Sequence, residues 1–170
     1  ESLDSYLTGR GNEPFKENPL TLTENQQYIH YNKGAVVMYA MNDFMGEDKF
    51  NNFLKDYVSR VAFQEAPYTT SLEFVDLLKQ HTPDSLQYLI KDMYETITVY
   101  DNDVEAATYK KLSDGKYQVD ITFKVQKYRT DDKGKRSYED VKGQALKEQV
   151  GKKEFQSLPL QDYVDIAVFG

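Results

Sequence analysis

Few side chains in this 170-residue sequence could carry chemistry, and they are scattered. There are two histidines, His30 and His81, and no cysteine. In the His-Glu-x-x-His zinc motif the two histidines stand four residues apart on one helix face, and a catalytic zinc keeps one coordination position open for water. No His-Glu-x-x-His occurs in the chain. Without cysteine, neither a thiolate metal site nor a disulfide framework can be built. The acidic pairs Glu47-Asp48 and Asp131-Asp132 could suggest calcium, but they lack the oxygen-rich spacing of a calcium loop. Helix-start and turn roles account for them. No phosphate-binding glycine loop and no nucleophile elbow is present.

One stretch stands out: Tyr31-Asn32-Lys33-Gly34, on the opening turns of an apolar segment and preceded by His30. By residue type alone, Tyr31 reads as a core tyrosine with a satisfied hydroxyl. His30 reads as a surface or interface histidine. Lys33 is expected to make a structural salt bridge, and Gly34 to allow close packing. His81 lies in a helix-terminal segment, where a cationic side chain is favourable near exposed carbonyls, and it reads as structural.

Composition narrows the functional classes. Hydrophobic residues make up 39% and charged residues 29%, a globular balance. The aromatic set is dominated by fourteen Tyr, with nine Phe and no Trp. A net charge of −7 argues against nucleic acid, whose phosphates are bound by clustered Lys and Arg. The richest basic stretch, Lys133 to Arg136, follows Asp131 and Asp132 and reads as a solvated turn. The longest apolar run, Ala35 to Met41, is far shorter than the ~20 residues of a membrane-spanning helix. The chain opens inside a helical pattern (Leu3, Tyr6, Leu7) and closes on the apolar run Val164 to Phe169, so both ends read as cuts in a longer polypeptide.

The elements that must position these residues fall into two groups. Thr23 with Gln26 has the pattern of a capping box, predicting a helix through Tyr28, Tyr31, Ala35, Met38 and Met41 that stops at Gly46. Phe50, Phe53, Leu54, Tyr57, Val58 and Val61 follow the spacing of one buried helix face, and the short link predicts an antiparallel pair. Thr70 with Glu73 forms a second capping box before Leu72, Val75 and Leu78. Thr82-Pro83 places a capping hydroxyl before a proline suited to a first helical position, and a helix with Leu86, Leu89, Ile90 and Met93 follows.

After Glu95 the period changes to two. Tyr117, Val119, Ile121, Phe123 and Val125 alternate with polar residues, predicting a half-buried strand with one wet face. Ser113-Asp114-Gly115 predicts a hairpin with a strand over 106–112, and Asp131 to Gly134 a second turn. Further strands are expected near 138–146 and 163–169. Strands that follow helices rather than alternating with them predict an α+β chain. Its parts are a helical unit over 1–95 and a small antiparallel, sandwich-like β unit over 96–170.

The ordered series Tyr-Ile-His-Tyr-Asn-Lys-Gly-Ala-Val-Val-Met-Tyr from Tyr28, Gly46-Glu47-Asp48-Lys49-Phe50 at the turn, and Tyr57-Val58-Ser59-Arg60-Val61-Ala62-Phe63 resembles the gluzincin aminopeptidases, the aminopeptidase N family. Thr69-Thr70-Ser71-Leu72-Glu73-Phe74 extends the resemblance to about seventy residues. It looks closest to bacterial members fused to multi-spanning membrane segments of transport systems. The resemblance implies the C-terminal part of a zinc-dependent catalytic domain followed by a β-sandwich. In that family a tyrosine downstream of the zinc helices hydrogen-bonds the oxyanion formed as water adds to a peptide carbonyl, and the resemblance implies this role for Tyr31.

The departure from the family is as informative. Only thirty residues precede Tyr31, too few for the zinc helices, so no metal ligand or general base is assigned. Zinc is expected in the parent polypeptide and no cofactor in this chain, which is expected to be inactive alone. The implied partners are a peptide substrate and an upstream catalytic portion. The implied location is outside the bilayer in a bacterial inner-membrane protein. The alternative is a degenerate peptidase fold kept as a peptide-binding or interaction module of a membrane transport protein.

Overall fold

The computed structural model describes residues 1–14, 16–137, 162 and 166–169. The chain is α+β and divides into two compact units, one of residues 1–97 with the loop 131–135, the other of residues 98–130 and 136–170. In the first, helix α1 (Ser2–Gly11) precedes a wide π-helical turn, Tyr28–Lys33, that runs directly into α2 (Gly34–Met45). Helices α3 (Glu47–Val61), α4 (Ser71–His81) and α5 (Gln87–Ile90) follow. A second π-helical turn, Lys91–Glu95, ends the helical run. Among the described residues no helix is long and apolar enough to cross a membrane.

Most of the periodic signals form the core, but Val58 and Leu72, expected on buried helix faces, are 56% and 59% exposed. Gly46 ends α2 at φ +83°, a conformation that favours a residue without Cβ, and α3 begins at the next residue. Phe50 and Phe53 of α3 pack with Val37, Met41 and Met45 of α2 and with Val75 and Leu78 of α4. Phe53 is fully buried, with its ring edge-on to Phe74, 5.1 Å between centroids. Burial of such a side chain contributes roughly 1.5–3 kcal/mol. Thr70 and Glu73 form the expected reciprocal capping box at the start of α4.

The other two capping expectations are corrected. Thr23 caps nothing: its hydroxyl donates to the Pro19 carbonyl, and Gln26 donates to Glu13 and to the Lys16 carbonyl instead. Helical geometry starts later, at Gln27. Thr82 turns backward, donating to the Leu78 carbonyl at 2.7 Å, and a short 3₁₀ turn over Asp84–Leu86 follows Pro83. A hydroxyl can satisfy a helix's last carbonyls as readily as the next helix's first N–H groups, so a cap pattern marks a boundary without choosing a side.

The β unit contains one sheet, ordered β1-β2-β3 and antiparallel throughout: β1 (Thr98–Lys111), β2 (Tyr117–Thr130) and β3 (Arg136–Ser137). The predicted hairpin forms, with Gly115 at φ +84° and Leu112 exchanging backbone bonds with Lys116 and Gly115 across the turn. Strand β1 begins eight residues earlier than the predicted 106, because Asp101, Asn102 and Asp103, poor strand formers, are held by pairing to β2. The register slips between Val104 and Ala106, a bulge at Glu105.

A sandwich needs a second sheet, and the described residues hold only one. The apolar face of β2 is correspondingly more open than expected, with Tyr117, Val119 and Phe123 exposed. Of the last predicted strand, residues 166–169 belong to no ladder, while 163–165 and the strand near 138–146 lie outside the described residues. Near the C-terminal end of β2, Lys127 is buried with Nζ 2.9 Å from Asp162 Oδ2.

Candidate functional site

The π-helical turn decides where Tyr31 points. In a regular α-helix, steps of four overshoot a full turn by roughly 40°. The wide turn, which takes in an extra residue, absorbs part of that overshoot at its start. As a result Ile29, Lys33, Val37, Met41 and Met45, spaced by four, all lie on the buried side. Tyr31, Ala35, Tyr39 and Asp43 form the opposite, exposed row. Tyr31 is 67% exposed and Tyr39 82%, so the core-tyrosine reading of Tyr31 is overturned. His30 is exposed beside it, the two ring centroids 4.5 Å apart.

Next to Tyr39, a shallow depression of about 470 Å³ is lined by Ser2, Ala35, Val36, Tyr39, Ala40 and Asp43. Its lining is mainly apolar, with Asp43 as its one charged side chain.

Beneath the turn the same backbone carries a charge inward. Lys33 is 6% exposed and Glu17, on the segment before the turn, is 3% exposed. Lys33 Nζ lies 3.9 Å from Glu17 Oε1 and 5.4 Å from the centre of the Tyr6 ring, with no hydrogen-bond partner among the described residues. Glu17 is also held by the Tyr6 hydroxyl, which donates to Oε1 at 2.6 Å, and by Arg10 Nε, which donates to Oε2 at 2.5 Å. Burial lowers the Lys33 pKa; Glu17 opposes that shift and Arg10 adds to it. Burial, and then the hydrogen bond to Glu17, pushes the Tyr6 phenol well above its ordinary value.

Helix α1 braces this turn along its length. Tyr6 stacks on Tyr28 with centroids 6.3 Å apart, and Tyr28 donates to Glu13 Oε2 at 2.8 Å. Gly9 packs directly on Tyr28. Gly34, expected to be the close-packing glycine, has room for a methyl: its nearest neighbours would stand 3.8 and 3.9 Å away, ordinary contact. The close approach is at Gly9, whose only sequence signal was a glycine inside a helix.

The remaining candidates are drawn into structure. His81 Nε2 is 3.0 Å from Asp56 Oδ2, joining α4 to α3. Glu47 and Asp48 occupy the first turn of α3. Asp131 accepts from the backbone N–H groups of Lys133 and Lys135 and shapes its turn. No group of three His, Asp or Glu side chains is placed to hold a metal among the described residues. Sequence reasoning singled out Tyr31 and passed over Glu17, a single acid between Lys16 and Asn18 with no periodic pattern to mark it. Comparison with known protein families, with curated proteins and with solved structures finds no match for this chain.

Proposed function

We propose that this chain is part of a zinc-dependent aminopeptidase of the gluzincin type, in which Tyr31 donates a hydrogen bond to the oxyanion formed as water adds to a peptide carbonyl. The observation that carries this reading is the outward phenol of Tyr31 on a π-helical turn whose neighbouring lysine is buried. Such wide turns store an irregularity in the backbone and are frequent at functional sites. An exposed phenol held by a rigid element can serve a partner group that the chain itself does not contain. The zinc ligands and the general base would come from other parts of the polypeptide, and this chain alone would be inactive.

The test belongs in the full-length polypeptide. Tyr31→Phe removes the hydroxyl and keeps the ring, so turnover of an aminoacyl anilide should fall about 100-fold or more while stability hardly changes. Unchanged turnover would remove Tyr31 from the reaction.

A second reading rests on the apolar depression beside Tyr39. A peptidase fold without its metal could keep such a surface for peptide binding in a membrane transport protein. A His-Glu-x-x-His with a downstream Glu elsewhere in the polypeptide favours the enzyme, and its absence favours the binding module.

A further inference from the structure

Lys33 stands in a row that is otherwise apolar: Ile29, Val37, Met41 and Met45 are its neighbours on the buried side. A buried ammonium is costly, and a lone helix has no need of one there. What it meets is Glu17, from a segment outside the helix, already gripped by Tyr6 and Arg10 of α1. The carboxylate thus ties α1, the intervening segment and the wide turn together from below. Tyr31 leaves the same turn two residues before Lys33, on the opposite side. The direction of the phenol is therefore coupled to whether Lys33 stays seated.

We propose that Glu17 and Lys33 are positioning residues for Tyr31: their buried ion pair holds the π-helical turn in the form that points the phenol outward. This rests on the reading of Tyr31 as the oxyanion donor. Neither side chain touches substrate; both act through the backbone of Tyr28–Lys33. A charge pair suits this task because each member is strongly penalised if the other moves away, whereas an apolar contact tolerates sliding. Displacement of a reacting group by about 1 Å can slow turnover on the order of 100-fold.

The decisive experiment is a double-mutant cycle in the full-length polypeptide, measuring kcat and KM separately on an aminoacyl anilide. Glu17→Gln should lower kcat roughly 10- to 100-fold with KM changed less than about threefold. In a Tyr31→Phe background Glu17→Gln should have no further effect, because the group it positions is gone. Multiplying effects overturn the proposal, since a merely structural role would act in both backgrounds. If Tyr31→Phe alone leaves turnover intact, the catalytic reading of Tyr31 fails first and this proposal with it, a different result from multiplying effects.

A second measurement needs no activity. In the 170-residue chain, hydrogen exchange at the amides of residues 28–34 should quicken at least about tenfold in Glu17→Gln, with α3 and α4 unchanged. Tyr6→Phe, which removes one donor to Glu17, gives the same pattern in milder form and covers the case in which Glu17→Gln fails to fold. Unaltered exchange at 28–34 in either folded variant overturns the proposal.

Discussion

Gly9 of α1 lies so close to Tyr28 that a β-carbon placed on it would stand 2.3 Å from the Tyr28 Cβ and 2.5 Å from its Cγ. Both atoms belong to the root of the side chain, so no flexible tip can swing aside. Gly9→Ala should therefore destabilise the chain. Overpacking costs about 1–3 kcal/mol and outweighs the ~1 kcal/mol that alanine gains over glycine inside a helix. Gly11, two residues on, has nothing within 4 Å of the same built atom, so Gly11→Ala should stabilise by a few tenths to about 1 kcal/mol. Urea midpoints of the two variants should fall on opposite sides of the parent chain. If Gly9→Ala matches Gly11→Ala, α1 is not seated on Tyr28 as described.

The capping box of α4 makes a second contrast. Thr70 Oγ1 accepts from the Glu73 N–H at 3.3 Å, and Glu73 Oε2 accepts from the Thr70 N–H at 3.0 Å. Thr70→Ala leaves an orphan donor at the helix start and should cost about 1 kcal/mol. Thr23→Ala should cost distinctly less, because the Thr23 hydroxyl only donates to the Pro19 carbonyl and satisfies no helix N–H. Equal losses at the two threonines would contradict this assignment.

These pairs show where the sequence was legible. Phe50 and Phe53, with Val75 and Leu78 facing them, announce their role through periodicity, since the helices that bury them are regular. Tyr31 was placed on the correct segment but with the wrong exposure. The extra residue of a π-helical turn is a backbone feature with no residue code, and it shifts the buried side onto Ile29 and Lys33. Glu17 was invisible for another reason: its setting depends on Tyr6 and Arg10 of α1 and Lys33 of the wide turn meeting it in three dimensions. The first half of β1 was hidden because its acids disfavour a strand and pairing overrides them. Local pattern reports local structure well, and the candidate site here is built from contacts between elements.

Acid should act at one identifiable carboxylate. Asp56 is held below the ordinary carboxylate value by its hydrogen bonds to Arg60 and then to His81. A depressed folded value means the charged form is favoured by folding. That stability is present above about pH 3.9, the unfolded value, and is lost as pH falls through the folded value. Asp56→Asn should be less stable than the parent chain near pH 6, and the gap should close as pH falls toward 2. His81→Gln should narrow the same gap without abolishing it, because Arg60 still reaches both carboxylate oxygens at 2.9 and 3.0 Å. A gap between parent and Asp56→Asn that stays constant across this range would mean the carboxylate is not linked to folding.

Alkali should act in the opposite sense, through phenols. Burial is the leading cause that raises Tyr6, Tyr28 and Tyr94; hydrogen bonds to Glu17 and Glu13 add to it at the first two. A raised folded value leaves stability intact below the unfolded phenol value of about 10 and drains it as pH climbs beyond, since only the unfolded chain can release those protons there. Lys33 runs the other way. Its folded value is lowered, so between that value and about 10.4 the folded chain holds fewer protons, and stability rises with pH. Lys33→Met should remove this rise and leave the later fall. Absorbance at the phenolate band, followed together with circular dichroism, separates the events. At least three phenols should ionise only as the helical signal is lost, and Tyr6→Phe should reduce that late step by one. A late step of fewer than three phenols would mean that water reaches Tyr6, Tyr28 or Tyr94 far more freely than their packing implies.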